Sequence, residues 1–224
     1  MSGANVQRPQ KCILLGAGGH AQVVLEALCF TKGQEIIGVL DKNQIGLGEV
    51  FKGIPLLGDD TALEKARNIG AEFFIIGIGS TRAGPLRETL FKLARSYGLM
   101  PATVIHPHSY QAPSSSFGEG SQLLAGSLLN SNCSIGMNVI VNCGAIIEHN
   151  CKVGDHTHIA SGACLCGDVQ VGASSHIGAR SVIIQGVKIG RGVTVGAGSV
   201  VLKDVEDFET VVGVPARVMR TEAF

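Results

Sequence analysis

The chain has 224 residues, and its 18 Lys+Arg balance 18 Asp+Glu to a formal net charge of zero. That balance argues against a nucleic-acid binder, which carries a basic excess. With 45% hydrophobic and 16% charged residues, disorder is excluded as well. Glycine stands out at 31 residues, about twice the ~7% average, beside few aromatic rings and no tryptophan.

The first ten residues are polar and lack a signal-peptide core. The apolar runs at 23–30, 36–40 and 73–78 fall well short of the ~20 residues of a spanning helix. The expectation is a cytoplasmic protein with no membrane partner. Seven cysteines, with Cys164-Leu165-Cys166 fitting neither a zinc pair nor a redox pair, read as reduced small core thiols.

Residues 11–100 alternate between strand and helix patterns. Cys12–Leu15 is a short apolar strand ending at Gly16, and His20–Phe30 a helix. Ile36–Leu40 is a second strand, ending at Asp41. Thr61–Ile69 reads as a helix capped by Thr61, with Glu64 at capping-box spacing. Phe73–Ile78 is a third strand, Pro85–Tyr97 a helix and Thr103–Ile105 a last short strand. Such alternation implies a small parallel sheet covered by helices. Gly16-x-Gly18-x-x-Ala21, with Asp41 at the end of the following strand, has the form of a dinucleotide fingerprint. A sheet this small argues against a full NAD site, and a tight turn without ligand gives the same pattern.

From Phe117 the period changes to six. Phe117, Leu123, Leu129, Ile135, Val141, Ile147 and onward to Val201 form fifteen consecutive apolar positions. The residue four later in every hexad, from Ser121 to Val205, is small or β-branched. This period matches neither 3.6 nor 2. It is the pattern of a hexapeptide β-helix, in which three hexads close one coil. The fold class expected is therefore an α/β N-terminal domain with a small Rossmann-like sheet over 1–108, then an all-β parallel β-helix over 109–224.

The hexad run, Leu15-Gly16-Ala17-Gly18-Gly19-His20, Ile146-Ile147-Glu148-His149-Asn150 and Val212-Gly213-Val214-Pro215-Ala216-Arg217 together resemble one family. It is the bacterial sugar O-/N-acyltransferases of the hexapeptide class, including UDP-4-amino-sugar N-acetyltransferases and sialic acid O-acetyltransferases. The resemblance implies left-handed coiling, acetyl-CoA as acyl donor, a nucleotide-linked amino sugar as acceptor, and a homotrimer with sites between subunits. It also implies a role in bacterial surface glycan synthesis.

The resemblance implies a site residue by residue. His149, third in its hexad and so pointing outward, would be the general base, and imidazole suits that task near neutral pH. Asn150 stands where the family usually has an acid, and Glu148 should face the other way. Gly167, three hexads after His149, would offer a backbone N–H to the oxyanion and contact the coenzyme. His158, Ala179 and Ala197 would also contact acetyl-CoA. His158 is half a coil from His149, so a site using both needs two subunits. Gly18, Gly19, His20, Asp41, Lys42 and Gly79 would hold the nucleotide sugar, with Lys42 in place of a second acid. Arg217 would meet coenzyme phosphates or simply cap the solenoid. No metal is expected: neither His156 with His158 nor His106 with His108 has an acidic or Cys partner at ligand spacing. The alternatives are sialic acid O-acetylation, a non-catalytic nucleotide-sugar scaffold and a nicotinamide oxidoreductase.

Overall fold

The computed structural model describes residues 8–31, 33–43 and 51–219. The N-terminal unit runs β1 (Gln10–Leu15), α1 (Gly19–Cys29), β2 (Gln34–Leu40), β3 (Leu56–Gly58), a 3-10 turn (Asp60–Ala62), α2 (Leu63–Asn68), β4 (Phe73–Ile76), α3 (Leu86–Ser96) and β5 (Met100–Pro101). The strands form one parallel sheet in the order β3-β2-β1-β4-β5. The order reverses between β1 and β4, the place where a parallel sheet opens a crevice for ligands.

Two details differ from the sequence expectation. Thr61 is not a helix cap: Asp59 accepts from Thr61 N–H at 2.9 Å and starts the 3-10 turn, and α2 follows. Thr103–Ile105 is not a last strand of this sheet. Val104–Ile105 pairs with Gln122–Leu123 and begins the solenoid, while Met100–Pro101 takes the fifth place. Val104 is buried against α1 rather than inside a coil. Gln111, on the next side, is polar at the inward position. Ile105 keeps the apolar six-residue rule as the partner of Leu123, so the Gln111 side alone interrupts it before Phe117.

From there each coil has three short strands, and every strand pairs in parallel with the one three hexads on, as Leu128 does with Ile146 and Ile140 with His158. The three faces are ladders of 8, 6 and 5 strands. The inward positions from Leu123 to Val201 are at most 4% exposed and stack into one aliphatic column. The small fifth positions line the corners from inside. The fourth position of many hexads sits at positive φ, including Asn150 at 62°, His156 at 62° and Asp168 at 61°. Asn and Asp tolerate that left-handed conformation better than most residues.

The first face carries the outward ladder Val104, Gln122, Ile140, His158, His176 and Thr194. The N-terminal unit packs on this ladder. Val104 and Ile140 join a core with Val24, Leu28 and Ile75. The opposite side of the sheet is covered by α2 and α3, through Leu63, Ala66, Leu90 and Phe91.

Candidate active site

The crevice between β1 and β4 is a cavity of about 390 Å³ whose lining includes Gly18, Gly19, His20, Asp41, Lys42 and Gly79. All six residues expected to hold a nucleotide sugar thus meet in one place. Gly18 caps α1 with no side-chain hydrogen bond and no acid in the first turn, so the helix presents its unpaired N–H groups. A Cβ at Gly18 or Gly19 would meet nothing within 4 Å, which leaves room for a phosphate at the helix end. Asp41 is largely engaged already. Its carboxylate accepts from Ala17 N–H at 2.7 Å and Asn43 N–H at 2.8 Å, tying the glycine loop to the end of β2.

A second group of residues lies where the sheet meets the solenoid. His20 and Gln122 bond at 2.7 Å, and Gln122 Nε2 donates to the Ile76 carbonyl at 2.8 Å. Burial pushes His20 down to about 4, helped by the charge of Arg87. His158 is buried with both ring nitrogens occupied: Asn142 lies 3.1 Å from Nε2 and Ser80 Oγ 3.0 Å from Nδ1. Burial, then the neighbouring His176 and Arg87, push it down to about 3. Ser80 also reaches His176 at 3.3 Å. The loop after β4 is therefore pinned to the first face, and Ala83 N–H donating to Thr194 at 2.9 Å pins it again. Arg87 is fully buried, bonded to the Ile78 carbonyl at 2.5 Å and to Asn138 at 2.6 Å. It has no carboxylate partner among the described residues, and burial lowers it to about 9.

His149 lies elsewhere, on the corner between the second and third faces, and is exposed. Its ring packs against Gly167 one coil on, which is itself buried. A Cβ there would fall 2.6 Å from Nε2 and collide with Cε1. The Gly167 N–H makes no hydrogen bond among the described residues, so it is free beside the ring. Asn150 Nδ2 stands 3.1 Å from His149 Nδ1 and also donates to Asp168 at 3.1 Å. Glu148 accepts from Asn130 at 2.9 Å, with no bond to the histidine. Ala179 and Ala197 are exposed on the corner between the first and second faces, in line with Ser161 and Cys143. Arg217 is exposed in the antiparallel strand that closes the first face.

One chain therefore brings the six crevice residues together, and separately His149, Asn150 and Gly167. Ala179 and Ala197 stand at a different corner from His149. Sequence reasoning missed Gln122, Ser80, Arg87 and Asp168. For Gln122 the pattern of its ladder narrowed the choice to two faces, since the second face from Tyr110 to Val200 is also uncharged. The outward ladder at 104, 122, 140, 158, 176 and 194 holds no Lys, Arg, Asp or Glu, whereas the third face shows Lys152 and Lys188.

The fold and these two constellations define a hexapeptide-repeat transferase with a nucleotide-binding type of N-terminal unit. Comparison with known families gives the same division: the PglD N-terminal domain matches residues 11–91, and the bacterial transferase hexapeptide (six repeats) matches 132–167 and 168–203. No curated protein sequence matches the chain. PerB from Caulobacter crescentus, solved in complex with CoA and GDP-perosamine, is 33% identical with a TM-score of 0.82, over 94% of this chain and 97% of that one. The acetyltransferase domain of PglB from Neisseria gonorrhoeae is 30% identical with a TM-score of 0.85, over 94% and 100%. WeeI from Acinetobacter baumannii shares the fold at 23% identity, with a TM-score of 0.62, over 93% and 99%. The chain belongs to the hexapeptide-repeat sugar N-acetyltransferases, and its solenoid is the left-handed β-helix of that class.

Proposed function

We propose that this protein transfers the acetyl group of acetyl-CoA to the amino group of a nucleotide-linked 4-amino-4,6-dideoxy sugar. The observation that carries the reading is the seating of His149 on Gly167, which sets an exposed imidazole beside a free backbone N–H. That pair supplies the two things aminolysis of a thioester needs: a proton acceptor and a donor for the developing oxyanion. PerB with CoA and GDP-perosamine, and the PglB domain with acetyl coenzyme A, support the pairing of substrates.

In this mechanism the amine attacks the thioester carbonyl directly. His149 takes the amine proton, Gly167 N–H holds the oxyanion, and collapse expels the CoA thiolate. For Nε2 to accept the proton, Nδ1 carries the other one. The exposed Asn150 amide then turns its Oδ1 to Nδ1–H, half a rotation from the placement in the structure, and gives up its bond to Asp168, whose exposed carboxylate turns to solvent. Gly18, Gly19, His20, Asp41, Lys42 and Gly79 hold the nucleotide sugar, with the phosphates at the start of α1. Ala179 and Ala197 line the coenzyme groove with backbone groups. His158 would reach the coenzyme only by giving up a bond to Ser80 or Asn142.

Because Ala179 and Ala197 lie at a different corner from His149, the complete site is built from two subunits of a homotrimer. The division of labour is a sugar-nucleotide domain over 1–108, whose last residues from Val104 already form the first side of the solenoid, and an acyltransferase domain over 109–224. No described helix is long and apolar enough to cross a membrane. Dependence on acetyl-CoA fits a cytoplasmic step of surface glycan synthesis.

The test is release of CoA thiol across an acceptor panel: UDP- and GDP-linked 4-amino sugars, and free and CMP-linked sialic acid. Release with an amino sugar nucleotide supports the reading. Release with sialic acid alone moves the protein to O-acetylation, and coenzyme binding without release leaves a scaffold.

A further inference from the structure

His20 has a fixed protonation pattern, and the solenoid sets it. Gln122 projects from the first face into the junction and is 0% exposed. Its Nε2 donates to the Ile76 carbonyl, which can only accept. Its Oε1 therefore faces His20 Nε2, and an oxygen acceptor at 2.7 Å requires that Nε2 carry hydrogen. The ring is neutral as well. Burial and the charge of Arg87 both oppose protonation, and the other titratable ring beside it, His158, lies 6.4 Å away between centroids and is itself held neutral. Nδ1 is then a bare lone pair.

That lone pair is not used by the protein. Nδ1 has no hydrogen-bond partner among the described residues, yet it is absent from the sealed, unpaired polar atoms, of which Arg87 Nε is the sole described case. It therefore opens to space, and His20 lines the sugar-nucleotide cavity as well as the adjoining space beside Ser80 and Asn142. A phosphate oxygen has no hydrogen to give at neutral pH, so two lone pairs would repel. The α1 amides next to it are donors and take the phosphates; Nδ1 takes something different.

We infer that Gln122 is a positioning residue that locks His20 as an Nε2–H tautomer, so that His20 Nδ1 selects a hydrogen-bond donor on the sugar, a hydroxyl or the amine, rather than a phosphate. This deepens the proposed function and rests on it. The β-helix thereby takes part in acceptor recognition through a residue that itself touches no substrate.

Two measurements test it. In the wild-type protein, long-range 15N–1H NMR of the His20 ring reports the tautomer without any substrate. The expected pattern at pH 7 is protonated Nε2 and bare Nδ1; an Nδ1–H tautomer or an imidazolium overturns the lock. The second uses Gln122→Met, which removes the lock at similar volume. Its KM for the amino sugar nucleotide should rise about tenfold, the value of one hydrogen bond, with affinity for UDP or GDP alone unchanged by calorimetry. Equal loss for the bare nucleotide, or no loss for either, overturns donor selection. Should Gln122→Met fail to fold, Gln122→Glu serves. Its carboxylate favours the imidazolium, so its KM for the sugar nucleotide should fall as pH rises from 6 to 8.5. A flat profile contradicts the inference. Because the NMR and nucleotide binding need no turnover, failure of the acetyl-transfer reading shows separately, as absence of CoA release.

Discussion

Gly167→Ala separates the proposed base, His149, from everything around it. Gly167 is not among the glycines at positive φ, so its backbone accepts a side chain without strain. The added methyl would lie 2.6 Å from His149 Nε2 and 3.1 Å from Nδ1. What it displaces is the far end of an exposed side chain, which swings out at little cost. Stability should therefore stay within about 1 kcal/mol of wild type, and the loss of glycine's unfolded freedom could even raise it. The Gly167 N–H remains, so the proposed oxyanion donor is kept. Only the ring loses its seat. A general base is worth roughly 10²–10⁴ in rate, and misplacement by about an ångström costs ~100-fold. The expected outcome is a kcat lowered about 100-fold, or ~2.7 kcal/mol of barrier, with an unchanged melting temperature. Steady-state CoA release and a thermal melt measure both. A kcat within about threefold of wild type would refute the idea that this seat positions the base.

Further outcomes follow from other parts of the structure. Asn150→Asp places a carboxylate against Asp168, so the two share a proton and little is gained; Asn150→Asp with Asp168→Asn should raise kcat about tenfold by giving Nδ1–H a charged acceptor, which the ratio of the two variants' kcat measures. Mixing His149→Ala chains with Ala197→Trp chains, each inactive alone, should restore about a quarter of wild-type activity if each site joins two subunits; no recovery would place the site within one chain. Stability should depend on pH. His20 and His158 sit near 4 and 3 in the folded protein against 6.5 unfolded, so below pH 6.5 the unfolded chain binds more protons. Their contribution is intact above pH 6.5 and lost as pH falls towards 4 and 3, by about 2 kcal/mol each at pH 5. The melting temperature should drop by roughly 8–16 °C between pH 7 and pH 5, and a flat profile would contradict the neutral assignment.

The solenoid was legible because its packing rule is strict. Each inward position faces a column too narrow for anything but an aliphatic side chain, so Leu123 through Val201 announce themselves at every hexad. The start was hidden where that rule lapses: Gln111 is polar where a coil interior would be apolar, which cuts the in-register Ile105 off from the run that begins at Phe117. β3 and β5 are 3 and 2 residues long, too short to show a period. The crevice residues could be named because glycines at a strand-to-helix turn have a physical reason to be there. His149 could be named only through resemblance, since an exposed histidine carries no pattern of its own. What surrounds it was not readable: Asp168 reaches Asn150 only because the chain returns to the same corner after one full coil. Gln122 carried no distinguishing signal, because the second face, from Tyr110 to Val200, is equally free of charges and yet leaves Tyr110 and Ile146 exposed.

The central claim is that His149 delivers acetyl from acetyl-CoA to a sugar amine. The direct measurement is mass spectrometry of the nucleotide sugar after reaction with acetyl-CoA, for wild type and for His149→Ala at matched acetyl-CoA occupancy. The account predicts N-acetylated sugar nucleotide from wild type and roughly 100-fold slower formation, or slower still, by the variant, with coenzyme affinity retained. Unchanged product formation by His149→Ala, or acetylation of a hydroxyl with the amine left free, would contradict it.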